Sequence, residues 1–198
     1  ERKFAKEGAS VVVTGRKEVS ALDDNIQYLQ FDVNELSKID SMWECADKML
    51  GGAIDVLVNN AGISLHERDI LDVTEETFDQ QFSTNLKAAY FLSKKYVKKY
   101  IESGRDDGKI LFISSERGTF VDDLPYGLTK AALNSLVQGL AYRFIDKGIR
   151  VNAVAPGITA TELVGLSESD NLYHPRQTNK RIYLAGEMSE VACFLASS

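Results

Sequence analysis

Cysteine, histidine and positive charge are all scarce in this chain. The two cysteines, Cys45 and Cys193, fall in helix-like segments and suggest no disulfide framework. Both read as small buried hydrophobes in a reducing compartment, and a cytoplasmic location is expected. The two histidines offer no metal-ligand spacing: His174 lies in a polar stretch and His66 reads as a solvated loop residue. No metal is expected. With 23 Lys and Arg against 29 Asp and Glu, the net charge is -6, and the basic patch that a nucleic-acid partner requires is missing. No apolar run approaches the roughly 18 residues of a membrane span. No secretory leader is recognisable, since the chain opens inside an apparent helix. The G-x-S-x-G elbow of a serine hydrolase is also absent. Repeats, low-complexity tracts and linkers are lacking too, so residues 1–198 read as one domain with one core.

What the chain does have is regular alternation. Val11-Val12-Val13 forms a short β-branched run within Ser10–Thr14, as expected of a strand buried on both faces. Residues 26–31, 54–59, 110–114 and 150–154 read the same way. Helical periodicity occupies about 36–50, 75–101, 126–147 and 187–196, after an opening helix that ends at Gly8. Thr74 caps the second of these helices, Gly104 ends it, and Gly148 ends the third. Met42 and Trp43 fall at core spacing. Strands alternating with helices predict right-handed βαβ units and an α/β fold, with a doubly wound parallel sheet in a three-layer α/β/α sandwich.

Ligands in such sheets bind beyond the carboxyl ends of the strands. Five unusual loops lie there: Gly15-Arg16, Asp32-Val33, Asn59-Asn60-Ala61-Gly62, Ser114-Ser115 and Pro156-Gly157. Taken singly, Asp32 is an ordinary turn residue and Asn-Ala-Gly an ordinary tight turn; their convergence on one rim is what points to a site. A further pair, Tyr126 and Lys130, is spaced one helical turn apart on one face. An ammonium beside a phenol favours its ionised form and makes it a candidate acid or base. Alone, the pair is common in helices.

Together and in this order, these motifs resemble the short-chain dehydrogenase/reductase family from about Ala9 to Thr161. The resemblance implies a Rossmann-like oxidoreductase that transfers hydride between a nicotinamide cofactor and a carbonyl or secondary alcohol. It makes Tyr126 the general acid or base, with Lys130 lowering its pKa and holding the nicotinamide ribose. Ser115, followed by Gly118, would orient the substrate oxygen, and Asn85 would hold a water in a proton relay. The plain alternative for Asn85 is a helix-interior side chain bonding a nearby carbonyl. For the cofactor, Arg16 would match the 2′-phosphate of NADP(H), with NAD(H) the alternative; otherwise it is a surface arginine. Asp32 and Val33 would meet the adenine. Asn59, Ala61 and Gly62 would support the middle of the site, and Pro156, Gly157, Thr159 and Thr161 would hold the nicotinamide. A small-molecule carbonyl or alcohol is the implied partner. Helices 75–101 and 126–147, with Tyr90, Phe91, Tyr96 and Tyr142 beyond what one sheet face needs, would build a homodimer or homotetramer.

The departures from the family pattern are at the edges. Its opening strand and T-G-x-x-x-G-x-G turn have no counterpart here, nor has its last strand, so a longer chain carrying them is expected. That turn binds the pyrophosphate. The connection from Arg16 to Ile26 leaves little room for a helix. Residues 163–184 are polar and correspond to the family's substrate lid. Glu116, Arg117, Asp122 and Asp123 read as a solvated turn more readily than as substrate selectors. A non-catalytic nucleotide-binding or scaffold relative of the same fold is the alternative function. The set Ser115, Tyr126, Lys130 and Asn85 argues against it, because a binding module needs no perturbed phenol.

Overall fold

A computed structural model describes residues 1–17, 25–175 and 177–197. Most of the connection from Arg16 to Ile26 lies outside the described residues. The order is α1 (Arg2–Lys6), β1 (Val11–Gly15), β2 (Ile26–Gln30), α2 (Ile39–Leu50) and β3 (Val56–Asn59). There follow α3 (Glu75–Phe82), α4 (Ala88–Ser103), β4 (Gly108–Ile113), α5 (Pro125–Phe144) and β5 (Ile149–Val154). A short parallel pair, β6 (Thr159–Ala160) and β7 (Tyr183–Leu184), precedes α6 (Ala185–Ala196).

Every β pairing between named strands is parallel: β1 with β2, and β3 with β4 and then β5. Alternate residues of β4 face opposite layers, as the two-residue strand period requires. Ile110 and Phe112 join Trp43 of α2, Tyr96 of α4 and Leu133 of α5 in the larger core. Leu111 packs with Ala192 of α6, against Phe4 of α1. Helices therefore cover both faces, as the alternation predicts.

The helix predicted over 75–101 starts as expected, with the Thr74 hydroxyl accepting from the Thr77 amide at 3.2 Å. It stops at Gly104, whose φ of 69° suits glycine. Between α3 and α4, however, Ser83–Lys87 forms a π-helical turn. Such bulges carry an extra residue per turn and cluster at functional sites. Here the bulge places Thr84 and Asn85 in the interior.

Three expectations need correction. Burial of every strand on both faces holds for β4 but not for β1, β2 or β3: Gln27 and Gln30 of β2 are exposed, and Val58 of β3 keeps 37% of its surface exposed. The reason is topological: among the described residues β1 pairs with β2 alone and β3 with β4 alone. Residues of both strands line one continuous cavity between them. Cys45 is exposed rather than buried, and Cys193 is half-buried, its thiol pushed up chiefly by desolvation. Tyr96 is 1% exposed and belongs to the core; Tyr90, Phe91 and Tyr142 do face outward.

Candidate active site

The carboxyl ends of β1, β3, β4 and β5 open onto that same cavity, of about 2860 Å³. Arg16, Asp32, Val33, Asn59, Ala61, Gly62, Ser115, Tyr126, Lys130, Pro156, Gly157, Thr159 and Thr161 all line it. Asn85 stands behind this lining.

Tyr126 rises from the first turn of α5, where Pro125 occupies the position that needs no backbone donor. Its phenol lies within reach of the Ser115 hydroxyl. Burial raises the phenol pKa; the neighbouring Ser115 hydroxyl and then the Arg117 guanidinium draw it back down. Lys130, expected in that role, sits 5.6 Å from the Tyr126 ring centroid and donates to the Ile113 carbonyl at 2.9 Å. Only 4% of Lys130 is exposed, and desolvation lowers its pKa to about 8.

Ser115 is set by the chain around it. The Ser114 amide donates to the Val154 carbonyl at 2.8 Å and the Glu116 amide to the Pro156 carbonyl at 2.9 Å, tying the ends of β4 and β5 together. The Ser115 hydroxyl accepts from the Arg117 amide at 3.2 Å. Gly118 lies against the α5 backbone: a Cβ there would stand 2.7 Å from the Lys130 carbonyl carbon and oxygen. Asn134 bridges the same gap, accepting from the Ser114 hydroxyl at 2.5 Å and donating to the Gly118 carbonyl at 3.1 Å. Gly118→Ala is therefore expected to cost about 1–3 kcal/mol in denaturant unfolding, the range for overpacking. An unchanged midpoint would mean that this loop yields without strain.

Asn85 makes three hydrogen bonds through its amide. Its Oδ1 accepts from the Ile63 amide at 2.8 Å, and its Nδ2 donates to the Ile63 carbonyl at 2.9 Å and the Thr129 hydroxyl at 3.1 Å. Thr129 in turn donates to the Tyr126 carbonyl at 2.7 Å. Asn85 thus clamps the loop after β3 onto the Tyr126 turn. Both of its donors are engaged, and one Oδ1 lone pair remains open.

At the other end, Asp32 accepts from the Asn34 amide at 2.9 Å, the turn role its residue type suggests, and Arg16 is exposed. Asn59 donates to the Ser93 hydroxyl at 3.0 Å, while its Oδ1 is buried without a hydrogen-bond partner. Thr159 and Thr161 turn back on their own loop, donating to the carbonyls of Gly157 and Thr159 at 3.0 and 3.3 Å.

The solvated-turn reading of 116–123 fails at Asp122. Its side chain is 6% exposed, pairs with Arg117 through Nε and Nη2, and accepts from the Leu124 amide at 3.1 Å just before α5. Sequence spacing gave no sign of this, nor of Thr129 and Asn134 as supports. Asp123 and His66 are exposed as expected. No group of three or more metal-ligating side chains exists among the described residues, and none of their helices is long and apolar enough to cross a membrane.

A family profile described as enoyl-(acyl carrier protein) reductase matches residues 2–198. The Bacillus subtilis protein described as uncharacterized oxidoreductase YvrD is 36% identical over 170 residues, covering 81% of this chain and 63% of its own length. The chain thus spans less than two thirds of that relative. Among solved structures, 3-ketoacyl-(acyl-carrier-protein) reductase from Brucella melitensis, complexed with NADH, superposes with a TM-score of 0.85. It is 27% identical, with 98% of this chain and 83% of that one covered. ElxO with NADP bound gives 0.84 at 31% identity, covering 100% and 85%.

Proposed function

The chain belongs to the short-chain dehydrogenase/reductase family, and from that premise we propose that it is a nicotinamide-dependent oxidoreductase interconverting a carbonyl compound and a secondary alcohol. The observation that carries this reading is the placing of Ser115, Tyr126 and a deeply buried Lys130 together on the wall of one cavity, with the Ser115 hydroxyl close enough to the phenol to lower its pKa. A non-catalytic fold has no use for a lysine whose charge is held at such cost.

The two ends of the cavity fit a dinucleotide. Arg16, Asp32 and Val33 offer a guanidinium, a carboxylate and an apolar wall for an adenosine phosphate. Lys130, Pro156, Gly157, Thr159 and Thr161 line the cavity with Tyr126. The bound nicotinamide would supply or accept the hydride. Tyr126 gives its Oη proton to the substrate oxygen in reduction and takes it back in oxidation. Ser115 holds that oxygen with its hydroxyl proton, while one of its two lone pairs accepts from the Arg117 amide. Lys130 anchors the ribose side, and Asn85 acts by clamping the loop after β3. Any proton relay through Asn85 would use its one open lone pair.

We assign a preference for NADP(H), because an exposed arginine after β1 matches a 2′-phosphate in charge and geometry. Arg16→Asp should weaken NADPH about 10–100-fold in a fluorescence titration, the range for one charge-assisted contact. NADH should change by less than about threefold. Equal losses for the two would refute the assignment. The free thiols of Cys45 and Cys193 suit a reducing cytoplasm. The outward faces of Tyr90, Phe91 and Tyr142 suit a homodimer or homotetramer built on α4 and α5.

A further inference from the structure

Residues 161–182 leave the body after β6 and return at β7, beside the strand they left. Within them, Tyr173 and Arg181 form an antiparallel bridge, and the Ile182 amide donates to the Leu172 carbonyl at 2.7 Å. The result is a small hairpin. Its base is fastened to α6 by Arg181, whose two terminal nitrogens reach the Glu187 carboxylate at 2.8 and 2.6 Å. At its tip Thr178, Asn179 and Lys180 are exposed, yet Gln177 between them and the body is only 6% exposed.

A polar side chain buried at an exposed tip requires a partner. Gln177 has one: its Nε2 donates to Glu116 Oε1 at 3.0 Å. Glu116 directly follows Ser115, so the contact joins the hairpin to the turn carrying the substrate-orienting hydroxyl. It crosses over Gly157, where a Cβ would stand 2.5 Å from Gln177 Oε1 and 3.1 Å from Glu116 Oε2. The missing side chain at 157 is what lets the two meet. Both residues line the cavity beside Tyr126.

We propose that Glu116 and Gln177 form a latch, keyed on Gly157, that holds the 173–181 hairpin down over the Tyr126 end of the cavity and so positions the substrate. The role as positioning residues rests on the oxidoreductase reading; the latch itself does not. A part-buried hydrogen bond to a carboxylate, made by an amide side chain that is itself 6% exposed, is strong enough to decide whether the hairpin tip stays seated. Base anchoring through Arg181 and Glu187 leaves the tip as the part free to lift.

Amide hydrogen exchange over 173–181 tests the latch without any substrate. Glu116→Ala and Gln177→Ala should each speed exchange there about tenfold, and the double variant should add little to either. The swap Glu116→Gln with Gln177→Glu restores an amide facing a carboxylate and should recover most of the protection. Unchanged exchange in the single variants, or a swap no better than the alanines, would overturn the proposal. In turnover with a ketone and NADPH, the alanine variants should raise the ketone KM about tenfold with kcat within about threefold, and the swap should lower KM again. Faster exchange with unaltered KM would remove the positioning role. Absence of turnover in the unaltered protein would sink the oxidoreductase reading, while exchange would still decide the latch.

Discussion

Phenylalanine in place of Tyr126 is expected to lower kcat/KM about 10²–10⁴-fold, the contribution of a positioned acid or base. The phenyl ring keeps the contacts of the phenol, including the Lys130 ammonium at 5.6 Å, and loses the hydroxyl within reach of Ser115. Stability should therefore change by no more than about 1 kcal/mol, the net worth of one hydrogen bond. The pH profile adds a second check. Burial holds the phenol above its ordinary range, so it is protonated throughout neutral pH. Carbonyl reduction needs that proton and should decline only as pH climbs through the Tyr126 pKa; alcohol oxidation should rise over the same interval. Both limbs should vanish in the variant. Steady-state rates across pH would check this, and turnover within a few-fold of the unaltered protein would remove Tyr126 from the chemistry.

Lys130→Met is expected to make the protein more stable and much less active. Desolvation moves the Lys130 pKa from 10.5 to about 8, which corresponds to about 3 kcal/mol against the charged form in the folded state. Below about pH 8 both folded and unfolded chains hold the proton, and this penalty is fully present. Between about 8 and 10.5 the unfolded chain still binds a proton that the folded chain has released, so stability rises with pH. Above that interval the penalty is gone. Methionine removes it at all pH values, but it also leaves the Ile113 carbonyl without its partner, at a cost of about 1 kcal/mol. The desolvation effect is the larger, so a net gain of about 2 kcal/mol at pH 7 is expected, shrinking to nothing or less near pH 11. Activity should fall at least about 10²-fold. Denaturant melts at both pH values would check the account, and a variant less stable at pH 7 would show that the buried ammonium is held favourably. Stability given up at a functional group is a familiar trade.

Much of this was legible locally. The run Val11-Val12-Val13, the threonine cap at Thr74 and the glycine stops at 104 and 148 act through neighbours in sequence, and each appears where the residue pattern places it. The rim was legible too, because parallel βαβ topology sends every strand's carboxyl end to one side. What the residues alone could not give depends on contacts between distant segments. The π-turn at 83–87 breaks no propensity rule; its role emerges only when Asn85 meets Ile63 and Thr129. Asp122 resembles any turn acid until its burial against Arg117 is seen. Gln177 lies 61 residues from Glu116, and no periodicity links them. Cys45 misled because its residue type favours burial, while its helix turns that position outward.

Hydride is expected to pass between a nicotinamide and a carbon held against Tyr126. The most direct measurement uses NADPH and NADH deuterated at the transferring carbon, a panel of ketones, and mass analysis of the alcohols formed. Deuterium is expected on the carbinol carbon of at least one product, strongly diminished in Tyr126→Phe. Both cofactors bound and returned unconsumed, with no labelled alcohol from any ketone, would contradict it.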